Sequence, residues 1–551
     1  MKGTKRYSLV LLLATLTACG GGGSVLPTPT PTPFQPQAPT APPAPTLPPP
    51  TEARPTLWLS EALPDALRQQ IVLADWTPAA SRESASAVVD VLTAGHSAAV
   101  SARWVYALVA PFPTVTDAVS LAALRRAWAG EAAGPFAGRP LWMSAATRAA
   151  FSTLWGAPAE AAVQLASDED LLSAAWNAQP AWAIIPFEQL EPRWKVLSVD
   201  GQSPIHKDFD PERYPLTLHF GCLGADCPAL HLPATNRDPA RMTVLVMTGV
   251  TALVRATAWR MEQQGITYPA QDIGNWLREA DITHISNEIP FAPDCPYPDP
   301  SPVLTRFCSH PRYIALLEDI GTDIIELTGN HFQDWGSAAT LYTLEMYRQR
   351  GWPYYGGGAD LNDARRPAII EHNGNRLAFI GCNPVGPSYA WATESRPGAA
   401  PCDDYAWMTE TINRLRAQGY LVMATFQYWE YYTPEPRPEQ RRAFRLMAEA
   451  GAVIVSGSQA HAPQAMEFYQ GSFIHYGLGN LFFDQMEYIL PDGKTTTRTR
   501  QEFIDRHVFY DGRYISTELL TAMLEDYARP RPMTGQERTT LLQEIFAASG
   551  W

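Results

Sequence analysis

Apolar residues in the C-terminal half of this chain gather in short runs, each followed within a few positions by Gly, Asn, Gln, Glu or His. Met242–Met247 (MTVLVM) reads as a buried strand that runs into Thr248-Gly249-Val250. Ile282–Ile285 reads as a strand leading to Asn287-Glu288, and Asp323–Leu327 as one leading to Gly329-Asn330-His331. Leu377–Cys382, Leu421–Phe426 and Ala452–Ser456 follow, the last opening into Gly457-Ser458-Gln459-Ala460-His461. Ser472–Tyr476 leads into Gly477-Leu478-Gly479-Asn480 and on to Asp484. Helices are predicted at Asp272–Ala280 and Pro311–Ile320. One His at a strand end is ordinarily a turn residue. Polar residues past the C-terminal ends of several strands are the arrangement by which α/β folds gather ligands.

Residues 57–215 show a different texture, rich in Ala and Trp. Trp104–Ala110 and Ala181–Pro186 read as strands, and Val119–Trp128 and Asp168–Trp176 as helices, so an α/β domain is expected there. The stretches WVYALVAPFPTVTDAVSLAALRRAW and AWAIIPFEQLEPRWKVLSVDGQSPI resemble the solute-binding-like domains of phosphate-type uptake systems. The chain beyond residue 56 is too long for one ordinary core. Residues 216–551 are therefore read as a second domain, closed by an amphipathic helical tail.

Composition changes the picture at the N-terminus. Lys2, Lys5 and Arg6 precede a short apolar run from Ser8 to Leu16, too short to span a bilayer. Residues 1–18 are expected to be a cleaved signal. Leu16-Thr17-Ala18-Cys19 has the form of a lipobox, which makes Cys19 a lipidation site and the chain an exported, membrane-anchored lipoprotein. The remainder of 19–56 is a Pro/Thr-rich tether of polyproline II character. Apart from Cys19, six cysteines remain, an even count that suggests disulfides in an exported chain. Proximity favours Cys222 with Cys227, Cys295 with Cys308, and Cys382 with Cys402. The formal net charge of −14 disfavours a nucleic-acid partner.

The strand-end motifs carry a second resemblance. ELTGNHFQDWG (326–336), SNEIP (286–290), GSQAHAP (457–463) and HYGLGNLFFDQ (475–485) resemble, in order and spacing, elements of the CapA-type capsule and poly-γ-glutamate synthesis proteins. The same family is linked to the calcineurin-like metallophosphatases. The resemblance implies a metallophosphatase-like αββα sandwich, preceded here by the smaller α/β domain. It implies a two-metal site in which Glu288 bridges, Asn330 binds one metal and His461 the other. His331 would act as general acid or phosphate ligand, oriented by Asp334.

Three positions depart from the pattern. Val250 stands where a carboxylate is expected, and Gln427 and Gln459 stand where histidines are expected. Val has no donor atom, and Gln is a poor replacement for imidazole. The expectation is no metal, or a weakly bound divalent one (Mn, Mg, Zn or Fe). Asn330 and His331 equally suit a purely structural role in bracing their loop. Three functions stay open: a surface lipoprotein of polymer synthesis that binds a polysaccharide, polyglutamate or a synthase without hydrolysis; a metal-dependent phosphoesterase with rearranged ligands; and a solute-binding module. The aromatic segment YWEYY (428–432) lies beside the expected crevice.

Overall fold

A computed structural model describes residues 54–551, apart from 94–97 and 302–304. The signal, Cys19 and nearly all of the tether lie outside the described residues. The first layer is a mixed sheet. Its spine runs Ala87–Val91, Thr217–Gly224, Ser101–Pro111, Trp182–Pro186, Leu141–Met143. Thr217–Gly224 lies antiparallel between Ala87–Val91 and Ser101–Pro111, so this sheet continues past residue 215, where the sequence suggested a boundary. The reason is local: alternate residues of TLHFGCLG drop Leu218 and Phe220 into the same apolar core as Trp104 and Tyr106.

The chain enters the double-layered region at Met242. One sheet runs Tyr354–Tyr355, Ile324–Glu326, Ile282–Asn287, Met242–Thr251, Gln501–Tyr510, Arg513–Glu525, Arg529–Pro532. The other runs Ala368–His372, Asn375–Cys382, Leu421–Phe426, Ile454–Ser456, Ser472–His475, Met466–Tyr469. Their inner faces share one core: Leu245, Met247 and Ile324 of the first meet Phe379, Met423 and Phe473 of the second. Helices Arg255–Gln264 and Ser337–Arg350 cover the outside of one sheet, and Ala406–Ala417 and Pro438–Ala450 the outside of the other. The result is an αββα sandwich. The strands at its centre are parallel, and their C-terminal ends lie along a common edge.

Disulfides join Cys222 to Cys227, Cys295 to Cys308 and Cys382 to Cys402, the neighbour pairs in sequence. The tail helix Gly535–Ala548 begins with a capping box in which Thr534 and Glu537 exchange hydrogen bonds. It packs between the two regions, and the last residue, Trp551, meets Phe112 of the first region as well as Phe468 of the second. Met242, Val244, Val508 and Tyr510 belong to the core of the first region, so no apolar gap separates the two.

Candidate functional site

The strand ends of both sheets supply the site. The loop after Ile282–Asn287 carries Glu288, and the loop after Ile324–Glu326 carries Asn330, His331 and Asp334. These loops touch: a Cβ on Gly329 would lie 2.8 Å from the Glu288 Cα, so a larger residue would push them apart. From the facing sheet come Gln427, directly after Phe426, and the Gln459–His461 segment after Ser456. The Gln459 side-chain amide donates across to the Ser286 hydroxyl at 2.5 Å, tying the two edges together.

His461 is the hub of the charged groups. Its Nε2 lies 3.7 Å from Glu288 and 3.3 Å from Glu430, while Nδ1 is 2.8 Å from the Asn480 side-chain oxygen. Burial alone would lower the His461 pKa, but the carboxylates of Glu430 and Glu288 outweigh it and push the ring up to about 9. Burial holds the Glu288 carboxyl above its usual range, against the pull of His461 and His331. Glu430 goes the other way: burial opposes ionisation, but contact with His461 and Tyr432 holds it at about 2.

His331 and Asp334 form a second unit. The ring Nδ1 lies 2.7 Å from the Asp334 carboxylate, which also accepts from the Phe307 amide and the Tyr389 hydroxyl. Burial pulls the His331 pKa down, and the Asp334 hydrogen bond and Glu288 raise it to a net increase. The Phe307 ring lies 4.5 Å from the imidazole.

Val250 lies at the same edge, fully buried, and contributes only methyl groups. Gly249 beside it is needed for packing, since a Cβ there would meet the Gly479 carbonyl oxygen at 2.1 Å. Among the described residues, no group of three or more His, Cys, Asp or Glu is arranged to hold a metal ion. The residues present therefore do not fit an inherited pair of metals.

Several participants escaped the sequence reading. Glu430 was visible only as one acid in an aromatic run. Arg255 has a left-handed backbone (φ 47°) and is clasped by Asp484, with the Phe307 and Phe483 ring centroids 5.1 Å and 5.0 Å from its guanidinium. Nothing near Arg255 in sequence marks it; only the fold brings it to Asp484. Glu326 lies fully buried beneath the crevice, accepts from the Thr328 hydroxyl at 2.8 Å, and has its pKa raised by burial.

The family model described as bacterial capsule synthesis protein PGA_cap matches residues 244–485, the span that contains every group just described. Residues 244–485 belong to the bacterial capsule synthesis family. The capsule-synthesis domain has relatives of modest identity. The capsule biosynthesis protein CapA of Bacillus anthracis is 22% identical over 306 residues, covering 55% of this chain and 72% of that protein. The PGA biosynthesis protein CapA of Bacillus subtilis is 28% identical over 173 residues, covering 31% of this chain and 45% of that protein. A probable polyglutamine synthesis accessory protein of Mycobacterium tuberculosis is 27% identical over 218 residues, covering 37% and 56%. This chain thus spans about half the length of the latter two. Among solved structures, a putative 5′-nucleotidase from Staphylococcus aureus aligns at 11% identity and TM-score 0.34, over 55% of this chain and 58% of that one. An ABC-type phosphate transport receptor from Vibrio cholerae aligns at 15% identity and TM-score 0.22, over 27% and 68%.

Proposed function

We propose that this chain is an accessory protein of capsule or poly-γ-glutamate synthesis, held at the cell envelope through Cys19, and that its crevice binds rather than hydrolyses. The relatives named above, whose names give capsule biosynthesis, PGA biosynthesis and polyglutamine synthesis, support the accessory role, and the lipobox Leu16-Thr17-Ala18-Cys19 supports the anchor. Binding without hydrolysis rests on one observation: Val250 fills a fully buried position at the crevice edge where the family pattern has a carboxylate. Two divalent ions close together need several anionic or imidazole ligands. Here Glu288 and His461 remain, and His461 is already engaged with Glu430 and Asn480.

The mouth suits a polymer. Trp429 is 54% exposed and Tyr389 51%. Tyr432 donates to Glu430 at 2.6 Å and stacks on Tyr488 with ring centroids 4.0 Å apart. Such rings offer broad faces to sugar or peptide segments of a chain. A synthase complex at the membrane is the partner this reading implies.

The test is turnover. Purified protein supplied with Mn2+, Mg2+ or Zn2+ should hydrolyse generic phosphoesters no faster than a His331→Ala variant. Robust metal-dependent hydrolysis that His331→Ala abolishes would favour a phosphoesterase with rearranged ligands. Cys19→Ala should release the protein from the membrane fraction; retention with unchanged mass would remove the anchor from this reading.

A further inference from the structure

The first region carries a cleft of about 1050 Å3, a volume at the upper end of small-molecule sites. One wall is the helix Ala145–Trp155, which lines the cleft with Ala145, Arg148, Ala149, Ser152 and Thr153, one face at helical spacing. The segment around Ser60 lines it as well. Most of the charges in the cleft offset one another. Asp90 holds Arg82 in an ion pair. Arg68 donates to the Ser60 carbonyl at 2.8 Å, next to Glu61, so these two opposite charges lie together. Arg148 and Glu160 remain, and neither side chain has a hydrogen bond or ion pair among the described residues. They belong to opposite ends of one wall. Arg148 lies one turn into the helix, where the dipole is already positive. Glu160 lies on the loop between the helix and the strand Val163–Leu165, which runs parallel to Leu141–Met143 before the helix. A crossover between parallel strands returns to the edge where the first strand began, so this loop sits at the C-terminal, negative end of the helix.

We propose that this cleft binds a short peptide with free termini, its carboxylate at Arg148 and the start of the helix, its ammonium at Glu160. A wall that is positive at one end and negative at the other matches a ligand with both charges. A lone anion such as phosphate would answer Arg148 and leave Glu160 without a partner, and a polyanion would meet repulsion at Glu160. Distance sets the length of the peptide. The helix rises about 10 Å between Arg148 and its end at Trp155, and an extended peptide covers about 3.3–3.6 Å per residue, so about three residues span the wall. Between the two charges, Ala149 and Ser152 are small enough for a peptide backbone to approach, and Ser152 offers it a hydroxyl. The site gives the first region a ligand of its own and makes no use of the strand-end crevice.

The experiment is calorimetric titration of the full chain with alanine, dialanine, trialanine and tetraalanine, and with N-acetyl-trialanine, trialanine amide and inorganic phosphate. One trialanine per chain is expected, bound at least about tenfold more tightly than alanine and within about twofold of tetraalanine. Blocking either terminus should weaken binding at least about tenfold. Arg148→Ala should erase the preference for trialanine over its amide, and Glu160→Gln the preference over the acetylated peptide. Both residues are exposed, so the variants should keep the parent's circular dichroism. Phosphate bound as tightly as trialanine, equal affinity for blocked and free peptides, alanine matching trialanine, or no binding at millimolar peptide would each overturn the proposal. Its failure would leave the polymer-synthesis reading standing, because that reading places its ligand in the crevice of the other region.

Discussion

The two regions bury some of their unmatched polar atoms in different settings. In the first region the main examples are the hydroxyls of Tyr106 and Tyr214 and the indole nitrogens of Trp176 and Trp182. Each belongs to a large ring whose apolar body drives it inward, and the polar tip follows. In the double-layered region the unmatched atoms at the strand ends include oxygens of Glu288, Asn330, Gln427 and Gln459. These side chains have little apolar surface to reward burial. An unmatched donor on an aromatic ring is a by-product of packing, whereas unmatched acceptors on polar side chains just past the strand ends mark the crevice.

That contrast presumes one continuous body, and the strongest way to break it is to empty the seam. Phe112 packs against Phe468, Phe473, Phe546 and Trp551. Phe112→Ala should cost about 3–5 kcal/mol, read by chemical denaturation, and both regions should still unfold in one transition. Two separate transitions in the unaltered protein would show that the regions are independent and the comparison misplaced. Tyr106→Phe removes a hydroxyl that has no partner, so a gain of about 1 kcal/mol is expected. The matching substitution in the second region, Gln459→Leu, exchanges one neutral hydrogen bond for relief of one unmatched oxygen. Its stability, read by chemical denaturation, should stay within about 1 kcal/mol of the parent.

The smallest effect concerns pH. His206, from the first region, lies 3.3 Å from both carboxylate oxygens of Glu518 in the strand Arg513–Glu525, and Arg506 shares that acid. Burial lowers the His206 pKa, but Glu518 more than compensates and the net shift is upward. A raised folded-state value means that the protonated pair stabilises fully below the unfolded pKa of about 6.5 and that this contribution is lost as pH rises through the higher folded value. The Tm difference between the parent and His206→Gln should therefore shrink as pH is raised from 6 to 9. A constant difference would show that the pairing has no electrostatic part.

Much of the second region is legible in its sequence because its central strands are buried on both faces, and such strands read as continuous apolar runs. Leu421–Phe426 has the predicted bounds, and the Glu288, Asn330 and Gln459 loops follow strands as expected. The long hairpin Gln501–Tyr510 and Arg513–Glu525 is not legible in that way. Its buried positions include Glu502, Asp505 and His507, which interrupt any apolar run. Asp505 is held by His475 at 2.7 Å, a partner from the other sheet that no local pattern reveals. The extension of the first sheet through Thr217–Gly224 was hidden for a related reason: the strand inserts between two others much earlier in the chain, and its place depends on pairing, not composition.

The hairpin also governs how the molecule comes together. Met242–Thr251 finds one neighbour soon after itself, in Ile282–Asn287, but its long antiparallel neighbour, Gln501–Tyr510, and the short strand Asn480–Phe482 that pairs with its end come more than 200 residues later. Closing so long a loop is entropically expensive, and topologies dominated by distant pairings fold slowly. Until residues 501–510 arrive, the Met242–Thr251 strand presents an open, apolar edge of the kind that recruits other chains. The nascent protein is thus most vulnerable to aggregation late in its synthesis, and a holdase that masks a sheet edge during that interval should raise its yield more than one that assists the first region.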